Sequence, residues 1–168
     1  MGSKSKDTDE PTRHVGTSLV LAVAHDSVPQ CLLVPNRETL TQRNIELVNL
    51  RSIRDIRGNL TPVESLIDVP FSIARVYFLY DVPSGSSRGG HAHKSLVQLL
   101  IPLAGSFDVL VADRHEETTI RLDRPNIGLM IGNYVWREMH NFSAGSVCLV
   151  LASQPYDESD YIRDRREL

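Results

Sequence analysis

The stretch Gly85-Ser86-Ser87-Arg88-Gly89-Gly90-His91-Ala92-His93-Lys94, followed by Gln98 and Gly105, carries the strongest signal in this chain. Its two histidines are separated by a single residue. Because alternate side chains of a β-strand share one face, His91 and His93 are predicted to point together into one cavity, with Gln98 on the next segment. Two imidazoles side by side can bind a divalent metal ion, or can act as acid, base or hydrogen-bond donor.

The spacing G-x5-H-x-H-x4-Q-x6-G resembles the first signature of the cupins, a family of β-barrel proteins. In metal-binding cupins a glutamate stands at the position of Gln98, and a later segment supplies a further histidine where this chain has Arg137. The resemblance therefore implies that two of four metal ligands are absent. A guanidinium also repels a nearby divalent cation. We expect no bound metal and no other cofactor, which leaves the imidazoles free for proton transfer.

The composition bounds the remaining possibilities. A chain of 168 residues has room for one domain with a substantial core. Its formal charge of −3 and pI near 6.0 predict no general affinity for nucleic acid or membranes, and it lacks an apolar run of about 18 residues. Cys31 and Cys148 lie inside apolar runs, which favours buried thiols in a reducing compartment and hence a cytoplasmic location.

The N-terminal region is the least readable part. Residues 1–14 are polar and charged, so we expect a disordered tail before a single domain over residues 15–168. The apolar segment from Ser18 to Ala24 has a faint similarity to a signal peptide. The acidic residues Asp7, Asp9 and Glu10 and the shortness of the segment argue against export.

Short apolar runs separated by glycine and proline turns predict an all-β barrel or jelly roll. The expected strands are Leu19–Ala24, Cys31–Val34, Ile45–Leu50, Asn59–Glu64, Ile73–Tyr80, Leu96–Leu103, Phe107–Ala112, Glu117–Leu122, Gly128–Ile131 and Val147–Ala152. The segment from Arg37 to Arg43 is interpreted as a loop or a short helix. Pro155 to Glu167 is expected to form a short C-terminal helix, with acidic residues early and arginines late.

Several other side chains are candidates for substrate contacts. Tyr77 and Tyr80 fall on opposite faces of a predicted strand, so one of them is expected to face the lumen and the other to serve in packing. Arg88 suits an anionic ligand such as a pyrophosphate, or an ion pair with a nearby carboxylate. Trp136 is a core residue or borders a pocket, and His140 is a third histidine near it.

Four segments resemble the nucleotide-sugar 3,4-ketoisomerases, cupins that act on dTDP-4-keto-6-deoxyglucose. They are Asp55-Ile56-Arg57-Gly58-Asn59-Leu60, Pro70-Phe71 through Tyr80-Asp81, Arg88-Gly89-Gly90-His91-Ala92-His93-Lys94, and Val150-Leu151-Ala152-Ser153 through Tyr156-Asp157-Glu158-Ser159-Asp160-Tyr161-Ile162-Arg163. The similarity covers roughly residues 47–163. It implies a homodimeric cupin (RmlC-like) barrel that works without a metal or organic cofactor.

The resemblance also implies roles for individual residues. His91 and His93 correspond to the paired histidines, with His93 favoured as the proton carrier, and Tyr80 is the tyrosine near the sugar, with Tyr77 as the other choice. The substrate-binding set is Arg88, Tyr77, Arg57, Gln98, Trp136, Arg137 and His140. We expect a sugar 3,4-ketoisomerase that moves the keto group of a dTDP-linked 4-keto-6-deoxy sugar through an enediol.

Two residues depart from the family pattern. Gly90 replaces a bulkier residue, and Trp136-Arg137-Glu138-Met139 replaces W-H-E-M. These departures motivate an alternative, a nucleotide-sugar-binding cupin without catalysis that is regulatory or degenerate. A metal-dependent cupin oxygenase is a third alternative, which Gln98 and Arg137 disfavour.

Overall fold

The computed structural model describes residues 37–39 and 44–168, which form antiparallel β-strands with almost no helix. The strands are β1 (Arg37–Thr39), β2 (Ile45–Asn49), β3 (Ile53–Asp55), β4 (Gly58–Leu60), β5 (Arg75–Leu79), β6 (Arg88–His93), β7 (Gln98–Ala104), β8 (Phe107–Ala112), β9 (Glu117–Leu122), β10 (Ile127–Ile131), β11 (Trp136–His140), β12 (Val147–Ala152) and β13 (Tyr161–Ile162). Three-residue 3-10 turns cover Glu158–Asp160 and Arg165–Glu167.

Two sheets face each other. One has the strand order β1-β2-β10-β7-β12-β5, the other β13-β6-β11-β8-β9, and β3 and β4 form a separate hairpin. The main core lies between the sheets and takes side chains from both, including Leu129 and Val150 from the first and Phe107 and Val109 from the second. Strands that are neighbours in a sheet, such as β7 and β10, are not consecutive in the chain, so the sheets are connected by crossovers as in a jelly roll.

A second core lies on the other face of the six-stranded sheet. Val69 and Phe71, from the segment before β5, pack there with Leu99, Ile101 and Leu151. Strand β7 is consequently buried on both faces from Gln98 to Pro102. This double burial explains why its sequence reads as a continuous apolar run without alternation.

Most predicted strands are present within one or two residues of their expected limits. Phe107–Ala112, Glu117–Leu122 and Val147–Ala152 are confirmed without change. The strand expected at Asn59–Glu64 is wrong beyond Leu60, because the hairpin pairs only three residues from each strand. The loop or helix expected at Arg37–Arg43 is also wrong in its first part, since Arg37–Thr39 pairs with β2.

The C-terminal segment differs from the continuous helix that the charge pattern predicts. Asp157 caps the turn Glu158–Asp160 by accepting a hydrogen bond from the Ser159 amide at 2.9 Å. Tyr161 and Ile162 then pair with His93 and Ala92 of β6. Backbone groups committed to this ladder are not available for helical hydrogen bonds, and the segment therefore forms two 3-10 turns around a short strand.

Some expectations fall on residues outside the described ranges. These are the tail at residues 1–14 and the strands at Leu19–Ala24 and Cys31–Val34. Within the described ranges, no helix has the length and apolar character needed to cross a membrane.

Asp68 provides a test of what holds the second core in place. Its carboxylate is fully buried, accepts two hydrogen bonds from Arg51 at 2.9 Å each, and accepts the Glu64 amide at 2.8 Å. Removal of one partner of a buried ion pair leaves the other uncompensated. We expect Asp68→Ala to lower the free energy of unfolding by about 2–4 kcal/mol, measured by denaturant titration.

The matched control is Asp123→Ala, because Asp123 pairs with Arg124 on the surface at 3.5 Å. Exposed pairs contribute little, and we expect a change below about 0.5 kcal/mol. Equal effects of the two substitutions would contradict a structural role for the Asp68 network.

Candidate functional site

The paired histidines lie on strand β6, between β11 and β13. His91 stands opposite Arg137 on β11, and His93 stands opposite Tyr161 on β13. A register shift at Arg137/Glu138 brings the two backbones close, so that a Cβ on Gly89 would lie 2.7 Å from the Arg137 carbonyl oxygen. With its φ of +96°, Gly89 is thus required for this approach.

A cavity of about 510 Å³ opens beside these strands. Its walls combine aromatic and cationic side chains, which is typical of a site for an anionic small molecule. Lining residues are Arg75, Tyr77, Leu79, Ser87, Arg88, Gly89, His91, Met139, Tyr156, Tyr161 and Arg163. The predicted pair is therefore brought together, with His91 at the wall and His93 behind it, only 1% exposed.

The two imidazoles are packed against each other and against a tyrosine. Their ring centroids lie 4.8 Å apart in an edge-on arrangement. Tyr161 lies 4.8 Å from His91 and 4.3 Å from His93. The expectation that alternation points both histidines the same way is in agreement with this geometry.

Asp160 anchors the inner histidine. Its Oδ2 lies 3.0 Å from Nδ1 of His93, and its Oδ1 accepts hydrogen bonds from the amide and hydroxyl of Ser95 at 2.9 and 2.6 Å. The other ring nitrogen of His93, Nε2, is buried and has no hydrogen-bond partner among the described residues.

Arg137 is the largest buried polar side chain near the histidines. It is 1% exposed and donates one hydrogen bond, from Nη2 to the Gly132 carbonyl at 3.1 Å. Its Nε and Nη1 are buried without a partner within the described part of the chain. Unpaired buried donors cost free energy, and such groups are commonly reserved for a ligand or a catalytic role.

Burial and charge keep both imidazoles neutral. Desolvation, reinforced by the Arg137 guanidinium, lowers the pKa of His91 from 6.5 to about 4 and that of His93 to about 3. Desolvation also lowers the pKa of Arg137 to about 10, which leaves it charged at neutral pH. The site therefore presents two neutral rings beside one fixed cation.

Of the two tyrosines on the β5 segment, Tyr77 faces the cavity. The Gln98 amide donates a hydrogen bond to the Tyr77 hydroxyl at 2.9 Å, and burial raises the pKa of that phenol. Alternation places Tyr80 on the opposite face, where it is 58% exposed and contacts Phe78. The structure thus brings Tyr77, and not Tyr80, to the histidines.

Three arginines line the cavity. Arg88 is exposed there, as expected for a residue that meets an anion. Arg75 lies 5.1 Å from the Tyr77 ring and 5.5 Å from the Tyr156 ring, and its Nε is buried without a described partner. Arg163 covers Tyr161 at 4.7 Å but is paired with Glu158.

Three predicted contact residues lie away from the cavity of their own chain. Trp136 and His140 alternate with Arg137 and Met139 on β11 and so face the other side, where Trp136 packs with Ile162 and His140 lies 3.7 Å from Glu138. Arg57 is at the tip of the β3–β4 hairpin, paired with Asp55 and exposed.

Sequence reasoning missed Asp160, Tyr161, Tyr156, Arg75 and Arg163. The first three and Arg163 belong to the stretch Tyr156-Asp157-Glu158-Ser159-Asp160-Tyr161-Ile162-Arg163, interpreted above as a surface helix. Strand alternation could have predicted Arg75, because it lies on the same face of β5 as Tyr77.

In the described residues, no group of three or more histidine, cysteine, aspartate or glutamate side chains is arranged to hold a metal ion. At Gln98, where metal-binding cupins have a glutamate, the side-chain amide nitrogen donates a hydrogen bond to the Tyr77 hydroxyl.

Comparison with known proteins gives a consistent result. The family model described as "FdtA: WxcM-like, C-terminal" matches residues 43–168. The TDP-4-oxo-6-deoxy-α-D-glucose-3,4-oxoisomerase of Aneurinibacillus thermoaerophilus is 47% identical over 118 residues, which are 70% of this chain and 85% of that protein. The sugar 3,4-ketoisomerase QdtA of Thermoanaerobacterium thermosaccharolyticum, solved in complex with TDP, is 46% identical with a TM-score of 0.74, over 76% of this chain and 93% of QdtA.

A third relative has the same reaction type. The TDP-quinovose 3,4-ketoisomerase WlaRB of Campylobacter jejuni is 49% identical with a TM-score of 0.71, over 74% of this chain and 95% of WlaRB. An RmlC 3,5-epimerase of Legionella pneumophila, 14% identical with a TM-score of 0.63, shares the fold alone and confirms the expected RmlC-like barrel. A family model that matches most of the chain, together with relatives near 47% identity, shows that this chain belongs to the FdtA, WxcM-like family and is an isomerase.

Proposed function

We propose that this chain converts dTDP-4-keto-6-deoxyglucose to a dTDP-3-keto-6-deoxyhexose. The observation that carries the proposal is the pair of neutral imidazoles near Tyr77 at a cavity lined by arginines. The relatives named above supply the substrate class, since one is named for this 4-oxo sugar and another binds TDP. Among the described residues of the site, no contact favours the non-catalytic or the oxygenase alternative.

The arginines of the cavity wall suit the diphosphate. Arg75 and Arg88 present planar guanidinium groups, which bind phosphate oxygens through parallel hydrogen bonds. Binding of the diphosphate there would hold the hexose ring toward His91 and Tyr77. Orientation of this kind supplies catalytic free energy without chemistry at the diphosphate itself.

The reaction needs two proton transfers at carbon. A base removes the proton from C3, which gives an enediolate with its charge on O4. Transfer of the hydroxyl proton from O3 to O4 and delivery of a proton to C4 then complete the 3-keto isomer with the same atoms. A neutral imidazole is a suitable base, and its conjugate acid can return a proton. His91 lines the cavity and is placed to meet the sugar, while His93, 4.8 Å behind it, is placed to exchange protons from within the barrel.

The enediolate oxygen needs hydrogen-bond donors. The Tyr77 hydroxyl accepts from Gln98 and so has its own proton to donate to a ligand. Arg137 adds a positive charge close to both imidazoles. Donors and charges that are already oriented before the reaction stabilise developing negative charge effectively.

We further propose that the chain works without a metal or other cofactor. Gln98 stands where a metal site would have a glutamate, and its amide donates a hydrogen bond to the Tyr77 hydroxyl. Arg137 stands where a metal-binding cupin would have a further histidine, and its positive charge repels a nearby cation.

We expect the purified protein to form the 3-keto isomer from dTDP-4-keto-6-deoxyglucose, with deuterium at C4 when the reaction runs in deuterated buffer. His91→Asn and His93→Asn should each lower kcat by at least about a hundredfold, because each removes a titrating proton carrier. Binding of a dTDP-sugar, measured by calorimetry, should change far less.

The matched control is His140→Asn, which changes a histidine on the outer face of β11 and should retain the wild-type rate. Addition of a chelator should also leave the rate unchanged. Wild-type protein that binds the dTDP-sugar without isomerising it would support the non-catalytic alternative, and activity lost on chelation would contradict the metal-free mechanism.

The lowered pKa values of the histidines predict an unusual pH dependence. The active base is the neutral ring, and a pKa near 4 for His91 keeps it neutral well below pH 6.5. We expect kcat/KM to stay level from about pH 8 to pH 5 and to fall only as the pH approaches 4. An acid limb centred near pH 6.5, the value for an exposed imidazole, would contradict this description of the site.

We propose that the protein is a homodimer. The β3–β4 hairpin exposes Ile53, Ile56 and Leu60, and the outer face of β5 exposes Val76, Phe78 and Tyr80. A hairpin of this size is marginal by itself, and exposed apolar patches on a small domain are typical of interfaces. Arg57, on the same hairpin, does not reach the cavity of its own chain, so a substrate contact through it requires a second copy.

Light scattering at micromolar concentration should give about twice the chain mass of 18.8 kDa. Ile56→Asp and Phe78→Asp place a charge within the exposed apolar surfaces and should shift the protein toward monomer. The control is Thr119→Asp on the exposed face of β9. A monomer mass for the wild-type protein would contradict the proposal.

A cytoplasmic location remains a prediction from the composition.

A further inference from the structure

We propose that Asp160 is a positioning residue for catalysis, which holds His93 in the tautomer that presents an unprotonated Nε2 to the barrel lumen. This inference rests on the proposed isomerase function for its effect on rate, but the tautomer itself is a property of the free protein. Asp160 is 67 residues from His93 in sequence and meets it through the pairing of β13 with β6.

The carboxylate of Asp160 is surrounded by donors. Oδ1 accepts from the Ser95 amide and hydroxyl, while Oδ2 accepts from the Leu96 amide at 3.3 Å and lies 3.0 Å from Nδ1 of His93. The Ser95 hydrogen bonds help to hold the pKa of Asp160 below its usual value although the residue is 9% exposed. Asp160 is therefore an ionised group that can only accept hydrogen bonds.

An acceptor at Oδ2 decides where the proton of a neutral His93 resides. The 3.0 Å approach is a hydrogen bond only if Nδ1 carries the hydrogen. The lone pair of the ring is then on Nε2, which is buried and unpartnered among the described residues. A buried acceptor without a partner is poised to take a proton, and the nearby carboxylate stabilises the imidazolium that results.

Asparagine at position 160 would reverse this arrangement. Two amide hydrogens, of Ser95 and Leu96, point at the carboxylate, and the shorter contact is the Ser95 amide to Oδ1 at 2.9 Å. The single amide oxygen of asparagine is expected to take that side, which turns its NH2 group toward Nδ1. Nδ1 must then accept, and the proton of the neutral ring moves to Nε2.

The experiment compares the wild-type protein with Asp160→Asn in two measurements. Nitrogen-15 NMR of the ligand-free protein, with His93 assigned from the His93→Asn spectrum, should show the proton on Nδ1 in the wild type and on Nε2 in the variant. Kinetics should show a kcat lower by about a hundredfold to ten-thousandfold, with KM changed less than about threefold.

Ser95→Ala is the matched control. It removes one hydrogen bond to Oδ1 but leaves the contact between Asp160 and His93, so it should keep the Nδ1 tautomer and lose less than about tenfold in kcat. It also reports how far a weaker tether alone affects the rate. Thermal unfolding of the wild type and both variants identifies any loss of kcat that is caused by misfolding.

A wild-type His93 protonated on Nε2, or an Asp160→Asn variant that retains the Nδ1 tautomer or the wild-type kcat, would overturn the proposal. If the wild-type protein does not isomerise the sugar but shows the expected tautomers, the proposed function fails and the assignment of His93 stands. The two failures are thus distinguishable.

Discussion

The pairing of β13 with β6 is the constraint on which the site depends. It joins Tyr161 and Ile162 to His93 and Ala92, and so brings a segment near the C-terminus against the paired histidines. Asp160 reaches His93 and Tyr161 covers both imidazoles, while Tyr156, before the same short strand, and Arg163, directly after it, contribute to the cavity wall. This two-residue ladder thus positions four side chains, and the hydrogen bonds between Asp160 and Ser95 fix the approach.

Burial beside a cation sets the chemical character of this site. An exposed imidazole is partly protonated at neutral pH, whereas desolvation and Arg137 keep both rings neutral here. Arg137 itself remains charged although it is buried, with two donors that have no described partner. The desolvation of these groups opposes folding and is offset by the cores on either side of the six-stranded sheet.

The cavity combines cationic and aromatic side chains. Guanidinium groups of three arginines share its wall with His91 and with Tyr77, whose hydroxyl accepts a hydrogen bond from Gln98. The same two departures that raised doubt in the sequence have structural accounts: Gly90 adopts a φ of +69°, which glycine tolerates best, and Arg137 fills the lumen beside His91.

The sequence by itself determined the barrel, most of its strands and the central pair His91 and His93, because period-two alternation and glycine turns are local signals. It also predicted that one of Tyr77 and Tyr80 faces the lumen. Only the tertiary structure decided between them, since strand direction in a closed barrel sets which face is the lumen. It also placed Asp160 and Tyr161, because local charge pattern favours a helix there and only a strand 67 residues away in sequence competes for the backbone hydrogen bonds.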